Sequence, residues 1–576
     1  MLNKECEYIK NNYLKINEEE TINIVDIKNK LYKRITNDYN MEIDFVDNIC
    51  TFILDNNEKW SINIECNIEI IKNTIIINYQ IDDDKRKILN KNPMDIANEI
   101  AANIDSNDIK KIEIKSPGFI NFFVNKEYLL ENLKNVLIEK DKYGSSNIGN
   151  RKKINIEFVS ANPTGILHIG NARGGAYGDS LARILRFCNY DVTEEYYIND
   201  AGNQIVNLGE SLKSRYYEKC GKNYPMPEEG YHGKEIIDMA NDLYNEYQDK
   251  LLENNLDYFK EYATKVLLEK IFKDLKEYRI NYDVYTSELA IKNKYNLYEI
   301  IERLTKKGYT YERDGAIWFK CSEIFYNTDH VLIKEDKTLT YLVPDIAYHL
   351  DKYNRGFDKM IDIFGTDHHG YVARLKSSIK ALGNDPEKLE VKLLQLVRLI
   401  EDGSVVKMSK RTGKSVTLKE LIDEVGVNAA RYYFVKSSLD TQMDFDLNLA
   451  KSKSNENPVY YVCYAYARIA SILKEVNYDE IPQKFDTLND EDTYNVLEKV
   501  YEFKEVVKSA AQRELPHLIT NYVYDLANVF HNYYSNVRII TDDLQATKEK
   551  IMLVKAVQQT IKNALNLIGV IPPEKM

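Results

Sequence analysis

The sequence of 576 residues lacks the paired cysteines and long apolar runs that are typical of secreted, membrane-spanning or zinc-stabilised proteins. Its seven cysteines are scattered and none forms a Cys-x-x-Cys pair, which argues against a disulfide framework and a structural zinc site. No stretch approaches the ~20 apolar residues of a membrane span. The N-terminal segment has no apolar run typical of a signal peptide. We therefore expect a cytoplasmic protein with reduced thiols, no resident metal and no membrane contact.

An excess of basic residues is also missing. The formal net charge is -12, with 78 Lys and Arg against 90 Asp and Glu. Charge alone thus argues against nucleic acid, DNA included, and any RNA contact must come from a local basic surface. A hydrophobic share of 44% is ordinary for a globular protein. At roughly 100–200 residues per domain, the length indicates three or four domains.

Changes of hydrophobic pattern divide the chain into three regions. Residues 1–145 mix helix and strand, with helical spacing over 92–104 and a strand, turn and strand after it. Residues 146–440 alternate strands and helices, which predicts an α/β fold with a parallel sheet. A charged helical insertion around 205–280 interrupts that alternation. Residues 441–576 carry long helical patterns and predict an all-α bundle.

The second region opens with the pattern of a βαβ unit. The strand candidates are INIEFVS (154–160) and DVTEEYYIND (191–200). Between them, one helix face is apolar, formed by Leu181, Ile184, Leu185 and Cys188. Sheet character returns after the insertion in three segments, 315–320, 340–350 and 359–365.

The loop ANPTGILHIGN (161–171) lies between the first strand and a glycine-rich helix. Free N–H groups and the positive end of the helix dipole suit a phosphate there. His168 can donate to a phosphate oxygen, and Gly170 permits close approach of a nucleotide to the backbone. The further glycines 174, 175 and 178 keep the helix surface small. The alternative is a tight βα loop with a core histidine.

Two further segments have the chemistry of a nucleotide site. After a turn at 401–404, four cations lie within Lys407–Lys414, which predicts a mobile loop that neutralises a triphosphate. A solvated basic hairpin is the alternative. Residues 365–369 (GTDHH) follow a predicted parallel strand, where open α/β sheets bind ligands. Asp367 suits the ribose hydroxyls of ATP, and the two histidines of this segment suit the lining of an adenosine site. We discount a metal there because no third ligand has clear spacing.

Together these motifs resemble the H-I-G-H and K-M-S-K motifs of class I aminoacyl-tRNA synthetases. Longer segments resemble arginyl-tRNA synthetases over about residues 115–576: FVSANPTGILHIGNARGGAYGDSLARIL, EEYYINDAGNQI, FGTDHHGYVARLK and NPVYYVCYAYARIASIL. Two departures are visible. Asn171 stands where the class often has His, and it can donate a hydrogen bond but cannot become cationic. Residues 61–87 do not follow the expected pattern, whereas PGFINFFV (117–124) does.

The resemblance implies a Rossmann-like catalytic domain with an inserted subdomain, an N-terminal α+β domain that contacts the tRNA elbow, and a helical anticodon-binding domain. It implies an arginine–tRNA ligase of translation that uses ATP with Mg²⁺, L-arginine and tRNA(Arg), acts through arginyl-adenylate, and is a monomer. The implied catalytic residues are His168, Lys407 and Lys410. The implied ATP contacts are Thr164, Gly165, His168, Gly170, Asn171, Asp367, His368, Lys407, Met408, Ser409 and Lys410.

The resemblance also implies an arginine pocket. A guanidinium is planar with five donors, so carboxylates must pair with its fork. Asn162 matches the residue that holds the α-amino group, and Glu157 assists it. Glu288, Tyr341 and Asp345 match the side-chain pocket. The alternatives are a surface or capping role for Glu288 and N-terminal capping of a helix for Asp345, which follows a proline.

The C-terminal helices are rich in tyrosine, which can stack on anticodon bases. The tRNA contacts that we expect are Tyr464, Arg468, Asn532 and Arg538. Tyrosines at helical spacing are also typical of a core. Three other functions stay open at this point: a different class I synthetase, a smaller nucleotidylyltransferase, and a non-catalytic tRNA-binding paralogue. The complete Lys407–Lys410 motif argues against the last, while Asn171 keeps it open.

Overall fold

The computed structural model describes seven strands between residues 13 and 80, and then residues 92–102, 109–116, 118–124, 127–325, 328–366, 369–406, 416–476 and 478–576. The chain divides into two compact units. The first holds residues 1–143, 472–503 and 528–560, and the second holds 144–471, 504–527 and 561–576.

The strands of the described residues belong to six sheets. They are β1 (Tyr13–Asn17), β2 (Glu20–Asn23), β3 (Glu42–Val46), β4 (Ile49–Ile53), β5 (Lys59–Asn63), β6 (Glu65–Ile71), β7 (Thr74–Gln80), β8 (Ile109–Lys115), β9 (Phe119–Val124), β10 (Lys153–Glu157), β11 (Asp191–Ile198), β12 (Val284–Ser287), β13 (Thr310–Arg313), β14 (Ala316–Phe319), β15 (His330–Ile333), β16 (Lys359–Gly365), β17 (Leu389–Leu394), β18 (Val397–Glu401), β19 (Ser404–Val406) and β20 (Met443–Asp446).

The α-helices of the described residues alternate with these strands along the chain or form the C-terminal region. They are α1 (Pro93–Ala102), α2 (Glu127–Glu139), α3 (Ile169–Phe187), α4 (Asn203–Lys219), α5 (Lys234–Tyr247), α6 (Leu256–Glu277), α7 (Glu288–Lys294), α8 (Leu297–Lys306), α9 (Leu342–Asn354), α10 (His369–Leu382), α11 (Leu418–Val435), α12 (Leu447–Lys451), α13 (Pro458–Glu475), α14 (Glu491–Gln512), α15 (His517–Asn536) and α16 (Leu544–Leu567). None of these helices is long and apolar enough to cross a membrane.

A five-stranded parallel sheet forms the centre of the second unit, in the order β12-β11-β10-β16-β17. Ile154 of β10 lies opposite Val192 of β11 on one side and Lys359 of β16 on the other. The β10-α3-β11 connection is the predicted βαβ unit, and the Rossmann-like architecture is confirmed. Because all five strands run the same way, the loops at their carboxyl ends share one edge of the sheet.

Helix α3 packs tightly on this sheet through small residues. The predicted face of Leu181, Ile184, Leu185 and Cys188 is buried. A Cβ on Gly178 would overlap the Phe158 ring, and one on Gly175 would lie 2.7 Å from Ile280 Cδ1. A Cβ on Gly174 would make only an ordinary contact, 3.5 Å from Leu394 Cδ2. The small helix surface is thus required at Gly175 and Gly178.

The inserted region between β11 and β12 is helical, as predicted. Helices α4, α5 and α6 enclose a core of their own. Leu208, Leu212 and Tyr216 of α4 are completely buried in it, together with Phe259 of α6. The insertion therefore leaves the order of the parallel sheet intact.

Two of the segments with sheet character differ from expectation. Residues 340–350 are not a strand, because most of that segment lies in helix α9. Val343, Ile346, Ala347 and Leu350 form one buried face at helical spacing, and a short apolar run cannot be assigned to strand or helix by composition alone. Strand β14 covers 316–319 but belongs to a separate antiparallel sheet, β13-β14-β15. Residues 359–365 form parallel strand β16, as predicted.

The C-terminal region is mostly helical, which confirms the fold expected for it. The boundary between the two units crosses α13, α14, α15 and α16. Two tyrosines of α15, Tyr522 and Tyr533, are buried, so part of the tyrosine pattern is core. In the N-terminal region, β8 and β9 pair antiparallel with Lys115 opposite Phe119, which confirms the predicted strand, turn and strand.

Candidate active site

The candidate site lies at the carboxyl edge of the parallel sheet. The loop 161–171 follows β10, Asn199 and Asp200 follow β11, and Glu288 follows β12 directly. The segment that begins at Thr366 follows β16. Residues that are far apart in sequence therefore meet at one edge because of the parallel topology.

The chain leaves β10 through a strained turn. Val159 and Ser160 have φ angles of 69° and 36°, a region that β-branched residues seldom adopt. Hydrogen bonds from neighbouring tyrosines hold this turn: Tyr196 Oη donates to the Ala161 carbonyl at 2.8 Å, and Tyr282 Oη to the Phe158 carbonyl at 3.1 Å. The start of the candidate nucleotide loop is thus rigidly placed against β11 and β12.

His168 and Asn171 begin helix α3 with a reciprocal capping box. His168 Nδ1 accepts from the Gly170 N–H at 3.1 Å, and Asn171 Oδ1 accepts from the His168 N–H at 3.0 Å. An accepting Nδ1 leaves the proton on Nε2, so the neutral ring can donate outward. Packing around the ring lowers the pKa of His168 below its usual value, which favours this neutral form. Asn171 therefore has a structural role that needs no positive charge.

Gly170 makes room for this ring. A Cβ at Gly170 would lie 2.9 Å from His168 Cε1 and 3.1 Å from Nδ1. The side chain of His168 thus occupies the space that a larger residue at 170 would need. Thr164 and Gly165, the other candidates of the loop, are half-buried.

The second motif, Lys407, Met408, Ser409 and Lys410, lies outside the described residues, as do Asp367 and His368. Its two flanks are described. Strands β18 and β19 form a hairpin whose Asp402 and Gly403 both have positive φ, the geometry of a two-residue turn. On the other side, the Leu418 N–H donates to the Leu167 carbonyl at 2.8 Å, and Thr417 bridges to His168. The chain therefore returns from the second motif directly beside the first.

Asp345 is a partly buried carboxylate of the candidate arginine pocket. It lies in the first turn of α9 and accepts a hydrogen bond from Tyr371 Oη. Burial raises the pKa of Asp345 to about 6, and the neighbouring carboxylates of Glu288 and Glu157 add to this rise. Tyr341 is the N-cap residue of this helix, so Asp345 does not have that role.

Glu288 lies beside it in the first turn of the short helix α7. It is 6% exposed and pairs with Lys292 at 2.5 Å. Ser287 caps this helix, and Asp200 accepts from Ser287 Oγ at 2.6 Å and from the Leu289 N–H at 2.9 Å. Because Ser287 and Asp200 fulfil the capping role, the Glu288 side chain is not needed for it.

Glu157 belongs to a buried network under this pocket. Its carboxylate accepts from Lys352 Nζ at 2.5 Å, from Tyr348 Oη at 2.9 Å and from Ser160 Oγ at 3.0 Å. Lys352 also donates to Asp362 at 2.7 Å. Burial favours the neutral acid, but Lys352 and His349 lower the pKa of Asp362 to about 2. Both Glu157 oxygens therefore have protein partners.

Asn162 and Tyr341 lie at the exposed side. The Asn162 amide donates to Gln204 at 2.7 Å and accepts from Asn199 at 2.6 Å. Tyr341 is 70% exposed, and its ring lies 4.0 Å from the position of a Cβ built on Gly202. Both residues are thus accessible from outside the sheet edge.

The four candidate tRNA contacts are on α13, on α15 and after it. On α13, Tyr460 stacks on Tyr464 with 6.1 Å between ring centroids, and the Arg468 guanidinium lies 4.6 Å from the Tyr464 centroid. These three half-buried side chains form one stripe of the helix. Asn532 and Arg538 are exposed.

Sequence reasoning missed Lys352, His349, Tyr371 and Tyr197, which surround the candidate pocket. A signal for Lys352 was present: it lies in an apolar helix, seven residues after Asp345, and thus on the same helical face. Nothing in the local pattern distinguishes Tyr197 or Tyr371 from the many other tyrosines of the chain.

The chain matches three family models. They are described as the catalytic domain of class I (R) tRNA synthetases over residues 132–446, the arginyl tRNA synthetase N-terminal domain over 55–124, and the DALR anticodon binding domain over 462–576. The N-terminal match includes residues 61–87, so the resemblance begins earlier in the chain than the sequence motifs indicated.

Individual relatives agree with these matches. The chain is 48% identical over 503 residues to Arginine--tRNA ligase 1 of Halalkalibacterium halodurans, which covers 85% of this chain and 90% of the relative. An arginyl-tRNA synthetase structure from Campylobacter jejuni aligns with a TM-score of 0.73 and 33% identity, over 79% of this chain and 100% of the other. The Thermus thermophilus arginyl-tRNA synthetase shares the fold, with a TM-score of 0.69 and 19% identity over 96% and 99% of the two chains.

Proposed function

Because this chain belongs to the arginyl-tRNA synthetase family, we propose that L-arginine and ATP meet at the carboxyl edge of its parallel sheet. The protein is an arginine–tRNA ligase, a class I synthetase that uses ATP to charge tRNA with arginine. A non-catalytic paralogue and a smaller nucleotidylyltransferase are not favoured by these relationships. The assignment of individual residues to the two substrates is the proposal.

The strongest support for the arginine pocket is the lack of a cationic partner for Asp345 among the described residues. Asp345 makes no ion pair with any residue of the described chain, although it lies beside two other carboxylates. A guanidinium is the cation that fits this place, since Asp345 and Glu288 can accept from its planar fork. Asn162 then holds the α-amino group. Glu157 assists indirectly, because it orients Ser160 and Tyr348.

We assign ATP to the side of loop 161–171 that faces away from the arginine pocket. His168 donates from Nε2 to a phosphate oxygen, which lies at the positive end of the α3 helix dipole. Thr164, Gly165, Gly170 and Asn171 shape the loop, while Asp367 and His368 contact the adenosine. Lys407, Met408, Ser409 and Lys410 bind the triphosphate. Mg²⁺ would be carried on the phosphates of ATP, as is common in nucleotide sites, and would offset part of their negative charge.

The reaction proceeds in two transfers. An oxygen of the arginine carboxylate attacks the α-phosphorus of ATP, the bond to the β-phosphate breaks, and pyrophosphate leaves. A hydroxyl of the terminal tRNA ribose then attacks the arginyl carbonyl carbon, and AMP leaves. His168, Lys407 and Lys410 are the catalytic residues, because their donors stabilise the charge that develops on the phosphates.

The remaining assignments concern the tRNA. Tyr464, Arg468, Asn532 and Arg538 contact the anticodon end of tRNA(Arg), and residues 1–145 contact the elbow. Residues 146–440 form the catalytic domain and 441–576 the anticodon-binding domain. The stripe of stacked Tyr460, Tyr464 and Arg468 supports this assignment, because it presents aromatic rings beside a cation. The enzyme works as a cytoplasmic monomer.

Charging of total tRNA with each of twenty labelled amino acids tests the function, and only arginine should be incorporated. Asp345→Ala and Glu288→Ala test the pocket. Each should raise the KM for arginine by roughly fivefold to a hundredfold, because unpaired guanidinium donors cost about 1–3 kcal/mol. Glu302→Ala, which removes an exposed carboxylate of α8, is the control. Near-wild-type arginine kinetics in both pocket variants would refute the assignment.

A further inference from the structure

Tyr197 is a buried tyrosine of β11 whose hydroxyl is near enough to the carboxylates of the candidate arginine pocket to be affected by their charge. The residue is 5% exposed, and its ring stacks on Tyr348 with 4.3 Å between centroids and 29° between planes. Its N–H donates to Ser160 Oγ at 3.0 Å. Both the ring and the backbone of Tyr197 are therefore held in place independently of the hydroxyl.

The hydroxyl itself has no hydrogen-bond partner within the described residues. Such a group is rare in a protein interior, because burial removes its water and nothing replaces it. The neighbouring tyrosines differ: Tyr348 Oη donates to Glu157 at 2.9 Å, and Tyr371 Oη donates to Asp345. The unused hydroxyl is thus specific to Tyr197 among the tyrosines of this cluster.

The surroundings of this hydroxyl are acidic. The carboxylates of Asp345, Glu288, Glu157 and Asp200 all act on it. Burial, with help from these charges, raises the pKa of Tyr197 well above its usual value, so the hydroxyl stays neutral. A ligand beside it must supply hydrogen-bond donors and positive charge.

We propose that Tyr197 is a specificity-determining residue, whose hydroxyl oxygen accepts a hydrogen bond from a terminal N–H of the substrate guanidinium. This inference rests on the pocket proposed above. Asp345 and Glu288 accept from part of the fork, and a planar group with five donors needs a further acceptor in its plane. An ammonium group is compact and cannot reach the carboxylates and this hydroxyl together. Tyr197 therefore favours arginine over lysine.

The test compares arginine with N5-(1-iminoethyl)-L-ornithine, in which a methyl group replaces one terminal NH₂ and the positive charge is retained. The analogue is measured as a competitive inhibitor of tRNA charging. Its remaining donors pair with the carboxylates, since those are the stronger contacts, and its methyl group faces Tyr197. Tyr197→Phe keeps the stacked ring and removes only the acceptor.

We expect Tyr197→Phe to raise the KM for arginine about tenfold and to leave kcat nearly unchanged. The inhibition constant of the analogue should change less than about threefold, because the analogue never had the lost hydrogen bond. A purely structural role would weaken both ligands by the same factor, and that result would overturn the proposal. Tyr278→Phe is the matched control: Tyr278 is fully buried, and its hydroxyl likewise has no partner in the described chain.

A parallel variant separates this inference from the pocket itself. Asp345→Asn should raise the KM for arginine strongly if the pocket is placed correctly. An unchanged KM in Asp345→Asn would refute the pocket as a whole. A raised KM in Asp345→Asn, with an unchanged arginine KM in Tyr197→Phe, would refute the role of Tyr197 alone.

Discussion

The Asp345 carboxyl lies where several forces on its proton oppose one another. Burial and two neighbouring carboxylates favour the neutral acid, whereas the hydrogen bond from Tyr371 and the proximity of His349 favour the carboxylate. The resulting pKa of about 6 is close to physiological pH. Since a guanidinium pairs with the carboxylate and not with the acid, protonation of Asp345 should compete with arginine binding.

Arginine binding should therefore weaken in mild acid. Asp345 loses its charge as the pH falls through its folded-state pKa, so the KM for arginine should be level above about pH 7. Below the pKa it should rise about tenfold for each pH unit. Tyr371→Phe removes a hydrogen bond that lowers the pKa of Asp345. In this variant the KM for arginine should therefore begin to rise at a higher pH.

The measurement is the KM for arginine of the wild-type enzyme and of Tyr371→Phe between pH 5 and 8, at saturating ATP and tRNA. Tyr353→Phe serves as the control, because the Tyr353 hydroxyl donates to the Asp385 carbonyl and not to the pocket. An arginine KM that is independent of pH over this range would contradict the role of Asp345.

At the scale of single residues, the capping box also explains the departure at position 171. Asn171 accepts the His168 N–H and so holds the first turn of α3. This contact needs an acceptor of short reach, which an amide oxygen provides. The neutral ring of His168 and the amide of Asn171 form one local unit, and no cation at position 171 is required for it.

At the scale of secondary-structure elements, helix α9 is joined to the sheet by buried charges. Lys352 lies between Glu157 of β10 and Asp362 of β16, and all three are nearly or completely inaccessible to solvent. His349 adds a further bond to Asp362 at 2.8 Å. This network fixes the helix that carries Asp345 relative to the strand that precedes loop 161–171.

Removing Lys352 should destabilise the enzyme strongly. Lys352→Met leaves the buried carboxylate of Glu157 without a cation and that of Asp362 with His349 alone. Removal of one partner costs about 3–5 kcal/mol in comparable buried pairs. The midpoint of urea unfolding measures the loss. Combining Lys352→Met with Glu157→Gln and Asp362→Asn removes the uncompensated charges and should recover part of the lost stability.

Lys306→Met is the matched control, because Lys306 forms an exposed ion pair with Glu302 and such pairs contribute little. A midpoint for Lys352→Met that equals that of Lys306→Met would show that the buried network does not stabilise the fold.

At the scale of the whole molecule, an acidic protein must bind an acidic polymer. The net charge of -12 works against tRNA binding, so local basic and aromatic side chains have to provide the contact. We propose the stripe of Tyr460, Tyr464 and Arg468 on α13, where two rings and a guanidinium lie together, for this contact. Counterion release from RNA then makes the affinity depend on salt.

The tRNA dissociation constant should accordingly rise steeply with salt. Arg468→Met should weaken binding and reduce the slope of log Kd against log salt by about one unit, as expected for the loss of one phosphate contact. Filter binding with tRNA(Arg) at several salt concentrations provides both numbers. Arg468→Lys retains the charge and should retain the slope. An unchanged slope in Arg468→Met would place the RNA surface elsewhere.

The sequence alone determined the family, the βαβ unit, the helical insertion and the helical C-terminal region. These features depend on local periodicity and on contiguous motifs, such as loop 161–171, which one stretch of chain contains completely. The same local reasoning misassigned residues 340–350, because an apolar run of that length suits a buried strand and a buried helix equally.

Only the tertiary structure decided which side chains that are distant in sequence form ion pairs and hydrogen bonds with each other. Glu157 and Lys352 are 195 residues apart in the chain, and no periodicity links them. The raised pKa of Asp345, the buried network of Glu157 and the Tyr197 hydroxyl that lacks a partner among the described residues all follow from burial and from which strands become neighbours. Desolvation and hydrogen-bond satisfaction are properties of packed surroundings, and a residue acquires them only when the sheet brings those surroundings together.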